Sequence, residues 1–496
     1  MTYPVYRNLI DGQWLPARSG KTILNLNPAD HADVVGAFPS SSAEDVAQAV
    51  AAAKKAYTTW RLVPAPKRAE ILVRAGLLLQ ERKEQYARDM TREMGKVLAE
   101  TRGDVQEAID EAFYVAGEGR RLFGVTTPSE LQNKFAMSVR MPLGVVGLIT
   151  PWNFPMAIPS WKLFPALVAG NTCVIKPATD TPLSTYNLVQ TLVDAGLPAG
   201  VVNLVSGSGS ATGTPLLEHP DVRAISFTGS SEVGSLVGQR AAATFKPVSL
   251  EMGGKNAQIV LNDANLDLAL DGALWGAFGT TGQRCTATSR ILLQKGIAEK
   301  FTTEFVTRAR ALKVGNGLDE SVEVGPQVNA GQIETSKKYV EIALAEGAKL
   351  LTGGHALTEG AYSKGTFFEP TVLGGVTPTM RIAREEVFGP VVSLIEFESF
   401  EQGLEIANSI DYGLSTALYT KDVNRAFAAI RDLEAGITYI NAPTIGAEVH
   451  LPFGGVKQTG NGHREGLGAI EFFTTWKAVY VDYSDKLQRA QIDNAE

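Results

Sequence analysis

From Met141 onward the chain alternates short, continuously apolar runs with helical stretches, and few folds accommodate that pattern. The runs are Val145-Val146-Gly147-Leu148-Ile149, Thr172-Cys173-Val174-Ile175-Lys176, residues 201–205 and Ala224-Ile225-Ser226-Phe227. A strand that is apolar at every position has no solvent face, so something covers both sides. Helices between successive strands supply that cover, which gives an α/β fold with a parallel, doubly wound sheet. One such helix is expected over about 184–195, stopping at Gly196 as a C-cap. The strands run out into Thr150-Pro151-Trp152-Asn153-Phe154-Pro155, Pro177, Ser206-Gly207-Ser208-Gly209-Ser210 and Thr228-Gly229-Ser230-Ser231-Glu232-Val233-Gly234. Ligands of doubly wound sheets bind beyond the carboxyl ends of the strands, where these polar and glycine-rich turns fall.

Beyond Cys285 the alternation restarts. Strands are expected at 290–293, 367–372, 391–397, 416–419 and 437–441, with helices at 298–312, 402–408 and 423–433. That is a second α/β unit. Before the first unit, Asn8-Leu9-Ile10-Asp11-Gly12-Gln13-Trp14 carries an Asp-Gly hairpin signal. Ser41 and Glu44 have the spacing of a capping box, and Val46, Val50, Ala53 and Tyr57 follow at helical spacing. Further amphipathic helices over 67–89 and 97–119 read as packing elements without chemistry. The tail 476–483 alternates like an edge strand suited to pairing with another subunit.

A chain of 496 residues is too long for one ordinary core. Its net charge of -7 provides no basic footprint, so no nucleic-acid partner is expected. No apolar run is long enough to span a bilayer, and residues 1–7 carry neither a signal-peptide nor a transit pattern. The two cysteines, Cys173 and Cys285, make no disulfide framework and match no zinc spacing. The expected setting is cytoplasmic and reducing, with no membrane association and no metal.

The chemistry-bearing stretch is Gly279-Thr280-Thr281-Gly282-Gln283-Arg284-Cys285-Thr286-Ala287-Thr288. Glycines and small hydroxyl residues before a thiol suggest a tight turn that a ligand can approach closely. Arg284 next to the sulfur favours thiolate if the two are also close in space. The ordinary alternative is a small half-buried hydrophobe. Glu251 precedes two glycines after an apolar strand and is either a loop carboxylate or a general base. Asn153 is a turn former or an oxyanion donor, and Lys176 a surface charge or a ribose contact. Gly229 and Ser230 open a helix whose N–H groups suit a pyrophosphate. Cys173, inside a strand, reads as core.

Together these motifs resemble the NAD(P)-dependent aldehyde dehydrogenases over nearly the whole chain. They are Pro151-Trp152-Asn153-Phe154-Pro155, Lys176-Pro177, Phe227-Thr228-Gly229-Ser230, Leu250-Glu251-Met252-Gly253-Gly254-Lys255, Gly282-Gln283-Arg284-Cys285, Glu386-Val387-Phe388-Gly389-Pro390 and Pro452-Phe453-Gly454-Gly455, in that family's order. The resemblance implies Cys285 as nucleophile, Glu251 as activator of the hydrolytic water, and Asn153 with the Cys285 backbone N–H as oxyanion hole. Relatives that pass the acyl group to coenzyme A generally lack that glutamate. Thr150, Trp152, Lys176, Thr179, Gly229, Ser230, Glu386 and Phe388 are implied at the cofactor. The implied fold has a cofactor domain over 1–123 and 146–253, a catalytic domain over 254–455, and an oligomerisation arm of 124–145 with the C-terminal segment 456–496. A homodimer or homotetramer is implied.

NAD-preferring relatives often carry a glutamate where Thr179 stands; threonine removes its repulsion of a 2′-phosphate. NADP is therefore the expected cofactor, with NAD also possible. Arg284 suits an aldehyde with a distal anion, unless it pairs with a protein acid instead. Trp161 and Phe453 are expected to line the substrate tunnel. Trp161 stands where several succinic semialdehyde dehydrogenases carry arginine. The stretch 441–450 and the tail 487–493 resemble the subgroup that oxidises α-ketoglutarate semialdehyde. Non-phosphorylating glyceraldehyde 3-phosphate oxidation and broad aliphatic or aromatic specificity are the alternatives.

Overall fold

The computed structural model describes residues 3–462 and 466–493; the expected end positions 1 and 496 lie outside them. Asn8–Ile10 pairs antiparallel with Gln13–Leu15. Asp11 and Gly12 take φ of 50° and 76° between them, as a two-residue primed turn requires. The helix Ala43–Trp60 starts one residue later than the expected box: the carboxylate of Asp45, not Glu44, accepts the N–H of Ser42 at 2.9 Å. Ser41 is taken by the amide of Asn8, whose Nδ2 donates to its hydroxyl at 2.8 Å.

The first large sheet has seven strands in the order Val248–Glu251, Val222–Thr228, Val145–Ile149, Thr172–Lys176, Val202–Leu204, Asn8–Ile10 and Gln13–Leu15. The first five are parallel. Val146 and Leu148 pack with Leu72, Leu79, Val105, Ile109 and Leu163 on one face. Val145 and Ile149 pack with Val46, Val50 and Val237 on the other. That two-sided burial is why the strand is apolar throughout. Chain order runs outward from Val145–Ile149 in both directions, so it reverses between that strand and Val222–Thr228. Crossovers on the two sides of a reversal diverge and leave a crevice at the carboxyl ends.

The second sheet also has seven strands: Lys349–Thr352, Thr371–Gly374, Val391–Phe397, Thr288–Gln294, Asn256–Val260, Ser415–Tyr419 and Ile437–Ile440. All pair in parallel except the edge strand Lys349–Thr352. The single strand expected over 367–372 is two. Phe367–Phe368 pairs with Ala356–Leu357, and Thr371–Gly374 joins the large sheet. Pro370 lies between them and has no N–H to continue a ladder.

A three-stranded sheet stands apart, ordered Thr474–Asp482, Lys134–Pro142, Val125–Pro128. The tail strand pairs with its own chain, from Thr474 opposite Pro142 to Asp482 opposite Lys134. The tail strand is an edge strand, as its alternation predicts, and its outer side carries no strand among the described residues. The described residues of 456–496 meet different parts of the chain. Val456–Lys457 pairs with Tyr412–Gly413, Gly460 bridges Glu251, and Phe473 is buried in the core of the first sheet. Val145 belongs to the central strand rather than to the arm. Among the described residues, no helix is long and apolar enough to cross a membrane.

Candidate active site

Helix Leu266–Phe278 feeds directly into the turn that precedes the thiol. Thr280, Thr281 and Gly282 follow one another at φ of 52°, 58° and 68°. Gly282 has no alternative, because a Cβ there would sit 2.2 Å from the carbonyl oxygen of Gly389. The two threonines are β-branched residues in the left-handed region, which costs about 1–3 kcal/mol each and persists only where neighbours over-determine it. Thr281 Oγ1 donates to Gly325 O at 3.0 Å, and Gln283 Oε1 accepts the Val328 N–H at 3.0 Å. Past the turn, Asn256 Nδ2 donates to the carbonyls of Cys285 and Ala287 at 2.8 and 2.9 Å. The half-buried Cys285 is thus held from both sides.

Cys285 lies on the wall shared by two cavities. One, of about 210 Å³, sits at the chain-order reversal. Trp152, Asn153, Gly229, Ser230, Glu386 and Phe388 line it with Cys285. Ser230 caps helix Ser231–Ala242, accepting the Val233 N–H at 3.3 Å. Trp152 meets Phe388 edge-on, ring centres 5.2 Å apart. Asn153 Nδ2 donates to the Gln283 carbonyl at 3.1 Å, which brings the amide to the loop that carries Cys285. Glu386 Oε1 accepts the Gly254 N–H at 2.9 Å. Burial pushes the Glu386 carboxyl up to about 7, against the Gly254 hydrogen bond and the nearby Lys255 charge.

Lys176 and Thr179 lie farther along the same strand ends, at the glycine-rich loop. Lys176 Nζ donates to the carbonyls of Pro177 and Gly207 at 2.5 and 3.2 Å, and Thr179 Oγ1 to Gly207 at 3.4 Å. Burial lowers the Lys176 ammonium to about 8. The hydroxyls of Thr150 and Thr228 are buried with no hydrogen-bond partner among the described residues. Two orphaned hydroxyls, a helix N-terminus and a carboxylate along one crevice fit the phosphates and ribose hydroxyls of a dinucleotide.

The second cavity, of about 620 Å³, is lined on one side by Trp161, Phe453, Phe154 and Trp275 and on the other by helix Leu98–Glu118. Trp161 and Phe453 pack with ring centres 5.6 Å apart. Arg284 lines this cavity but is not a free cation: Nη2 reaches Glu100 Oε1 at 2.9 Å and Nε donates to Thr280 Oγ1 at 2.9 Å. The expectation of an anion clamp at Arg284 is corrected to that extent, because a carboxylate already neutralises it. Its guanidinium lies over the Phe154 and Trp275 rings, 5.2 and 5.8 Å from their centres, in a cavity large enough for a small substrate.

Glu251 lines neither cavity. It is buried, with a carboxylate oxygen 3.0 Å from where a Gly462 side chain would begin. Burial raises the Cys173 thiol, which sits in the first core as expected. No group of three or more His, Cys, Asp or Glu among the described residues is placed to hold a metal.

The helix read as pure packing contributes what sequence reasoning missed. Lys96 and Asp104 form a fully buried ion pair at 2.6 Å beneath Phe154, and Glu100 reaches the nucleophile turn. The available signal was acids at 100, 104, 107 and 111, which recur on one helical face together with buried apolar residues.

Comparison with known proteins identifies the family of the chain. The aldehyde dehydrogenase family matches residues 14–479. Over 477 residues the chain is 44% identical to the alpha-ketoglutaric semialdehyde dehydrogenase of Bacillus subtilis, covering 96% of this chain and 98% of that protein. It is 42% identical to the alpha-ketoglutarate semialdehyde dehydrogenase of Haloferax volcanii, covering 96% and 99%. A crystal structure of betaine aldehyde dehydrogenase from Staphylococcus aureus in complex with NAD+ superposes with a TM-score of 0.95 at 34% identity, covering 97% of this chain and 96% of that one. The chain belongs to the aldehyde dehydrogenase family. It is an NAD(P)-dependent oxidoreductase acting on aldehydes.

Proposed function

We propose that the substrate is an anionic semialdehyde, α-ketoglutarate semialdehyde, oxidised to the dicarboxylate with NADP+ preferred and NAD+ accepted. The observation that carries this is Arg284, a cation lining the larger cavity beside Cys285. Two relatives at 44% and 42% identity bear that activity in their names. Thr179 in place of an acid, next to Lys176, supports NADP.

The Cys285 thiolate attacks the aldehyde carbon and forms a thiohemiacetal. The Asn153 amide and the Cys285 N–H stabilise the oxyanion. A bound nicotinamide supplies the hydride acceptor. Phe388 and Trp152 pack at its end of the crevice, and Glu386 and Lys176 hold riboses. The thioester left on Cys285 is hydrolysed by water that Glu251 deprotonates, which requires that carboxylate to swing from Gly462 toward the thiol. We assign the protein a cytoplasmic setting and a homodimeric or homotetrameric state, the latter through the exposed arm sheet.

The test is the initial rate of nicotinamide reduction with NADP+ or NAD+. The aldehydes are α-ketoglutarate semialdehyde, succinic semialdehyde, glyceraldehyde 3-phosphate, a neutral aliphatic aldehyde and benzaldehyde, with Cys285→Ala as blank. The dicarboxylate precursor is expected to show the highest kcat/KM, and Arg284→Met to erase its advantage of about tenfold or more over neutral aldehydes. Equal rates for neutral aldehydes would remove the substrate assignment and leave the family.

A further inference from the structure

We infer that Glu100 is a positioning residue for the nucleophile, acting as a clasp that holds the left-handed turn from which Cys285 is presented. The inference rests on the reading of Cys285 as nucleophile and on nothing else in the proposed substrate.

Glu100 belongs to helix Leu98–Glu118 of the first unit, far in sequence from the thiol. Both of its carboxylate oxygens accept the Thr280 N–H, at 2.9 and 2.8 Å. Oε1 also accepts from Arg284 Nη2 at 2.9 Å, and Arg284 Nε returns to Thr280 Oγ1 at 2.9 Å. The three side chains close a ring around the first left-handed residue of the turn. Gly279 is fitted to it: a Cβ there would stand 2.9 Å from Glu100 Oε1. The helix cannot easily shift, because four residues along Asp104 pairs with the buried Lys96 and accepts the Ala157 N–H at 2.7 Å.

Consecutive left-handed threonines are unfavourable by themselves, so the turn needs an external tie. Charge-assisted hydrogen bonds to a backbone N–H are the stronger kind. Glu100 provides the tie at Thr280, while Thr281 and Gln283 are tied from the second unit. Without the carboxylate, Thr280 is free to leave the left-handed region. The Gln283 carbonyl that Asn153 meets would then move, and the thiol with it. A displacement of about 1 Å at a reacting atom costs up to about a hundredfold in rate.

The experiment compares Glu100→Ala and Glu100→Gln with the unaltered protein. The readouts are the rate of Cys285 alkylation by iodoacetamide, kcat and KM, NADP+ affinity, and amide exchange of residues 279–286. Glu100→Ala is expected to slow alkylation and lower kcat by about tenfold or more, with NADP+ affinity, which belongs to the other cavity, within about twofold. Glu100→Gln keeps a neutral acceptor and is expected to fall between, with faster exchange confined to 279–286. An alanine variant alkylated within about twofold of the parent rate overturns the inference, as does loss of NADP+ affinity in parallel with reactivity. If the alanine variant does not fold, Glu100→Gln decides alone: unchanged exchange in 279–286 overturns the clasp. If alkylating Cys285 leaves activity intact, the nucleophile reading has failed, and the exchange data still test the clasp separately.

Discussion

Lys176 shows how burial at one residue sets a pH response. Its ammonium is lowered to about 8, so it is cationic below that value and neutral above it. A 2′-phosphate is a dianion throughout this range, its second ionisation lying near pH 6. Preference for NADP+ over NAD+ is therefore expected to be strongest near pH 7 and to fall as pH rises through about 8. Fluorescence titrations at about pH 7 and about pH 9.5 measure it, and Lys176→Met is expected to flatten the profile with about tenfold weaker NADP+ binding near pH 7. Cys285, Asn153 and Glu386, which line one cavity, are legible in the sequence because each stands inside a compact local motif. The pairing of Arg284 with Glu100 is not, since it joins positions 184 residues apart and only the fold brings them together.

At the scale of elements, the strands of both large sheets were readable because burial on two faces writes a continuous apolar run. Phe367 to Val372 misled because Pro370 ends one strand and a second sheet claims the next. Helix Leu98–Glu118 was legible as a helix but not as a wall of the larger cavity, because acids at helical spacing normally mark a solvated face. Here Asp104 is fully buried against Lys96. Asp104→Ala leaves an uncompensated buried ammonium and is expected to destabilise the protein by about 3–5 kcal/mol, read by denaturant unfolding. The double change Lys96→Met with Asp104→Leu is expected to recover most of that loss, because it removes both charges together.

For the whole molecule, the arm sheet is the part least explained by a single chain. Its strands pair along nine positions of the tail, yet Trp476, Tyr480, Val125 and Phe135 stay exposed and neither outer edge has a partner strand among the described residues. An exposed edge with aromatic side chains is a surface that proteins normally cover. Truncation after Phe473 is expected to convert the assembly to monomers by light scattering, with the two large sheets retained in circular dichroism. A truncated chain that keeps the parental mass would remove the arm from the assembly.

The cavity of about 210 Å³ and the one of about 620 Å³ have one lining residue in common, Cys285. If, as proposed, one holds the dinucleotide and the other the aldehyde, then in terms of traffic the two reactants come to the sulfur through separate doors. Occupying one chamber does not bar the other, so neither reactant has to wait for its partner to leave. The spent dinucleotide can depart while the acyl group is still tethered, and the vacated room is where water can stand for the second half of the cycle. A dead-end ligand that fills the aldehyde chamber is thereby a noncompetitive obstacle to the dinucleotide, and the thiol serves as the turnstile between two otherwise independent passages.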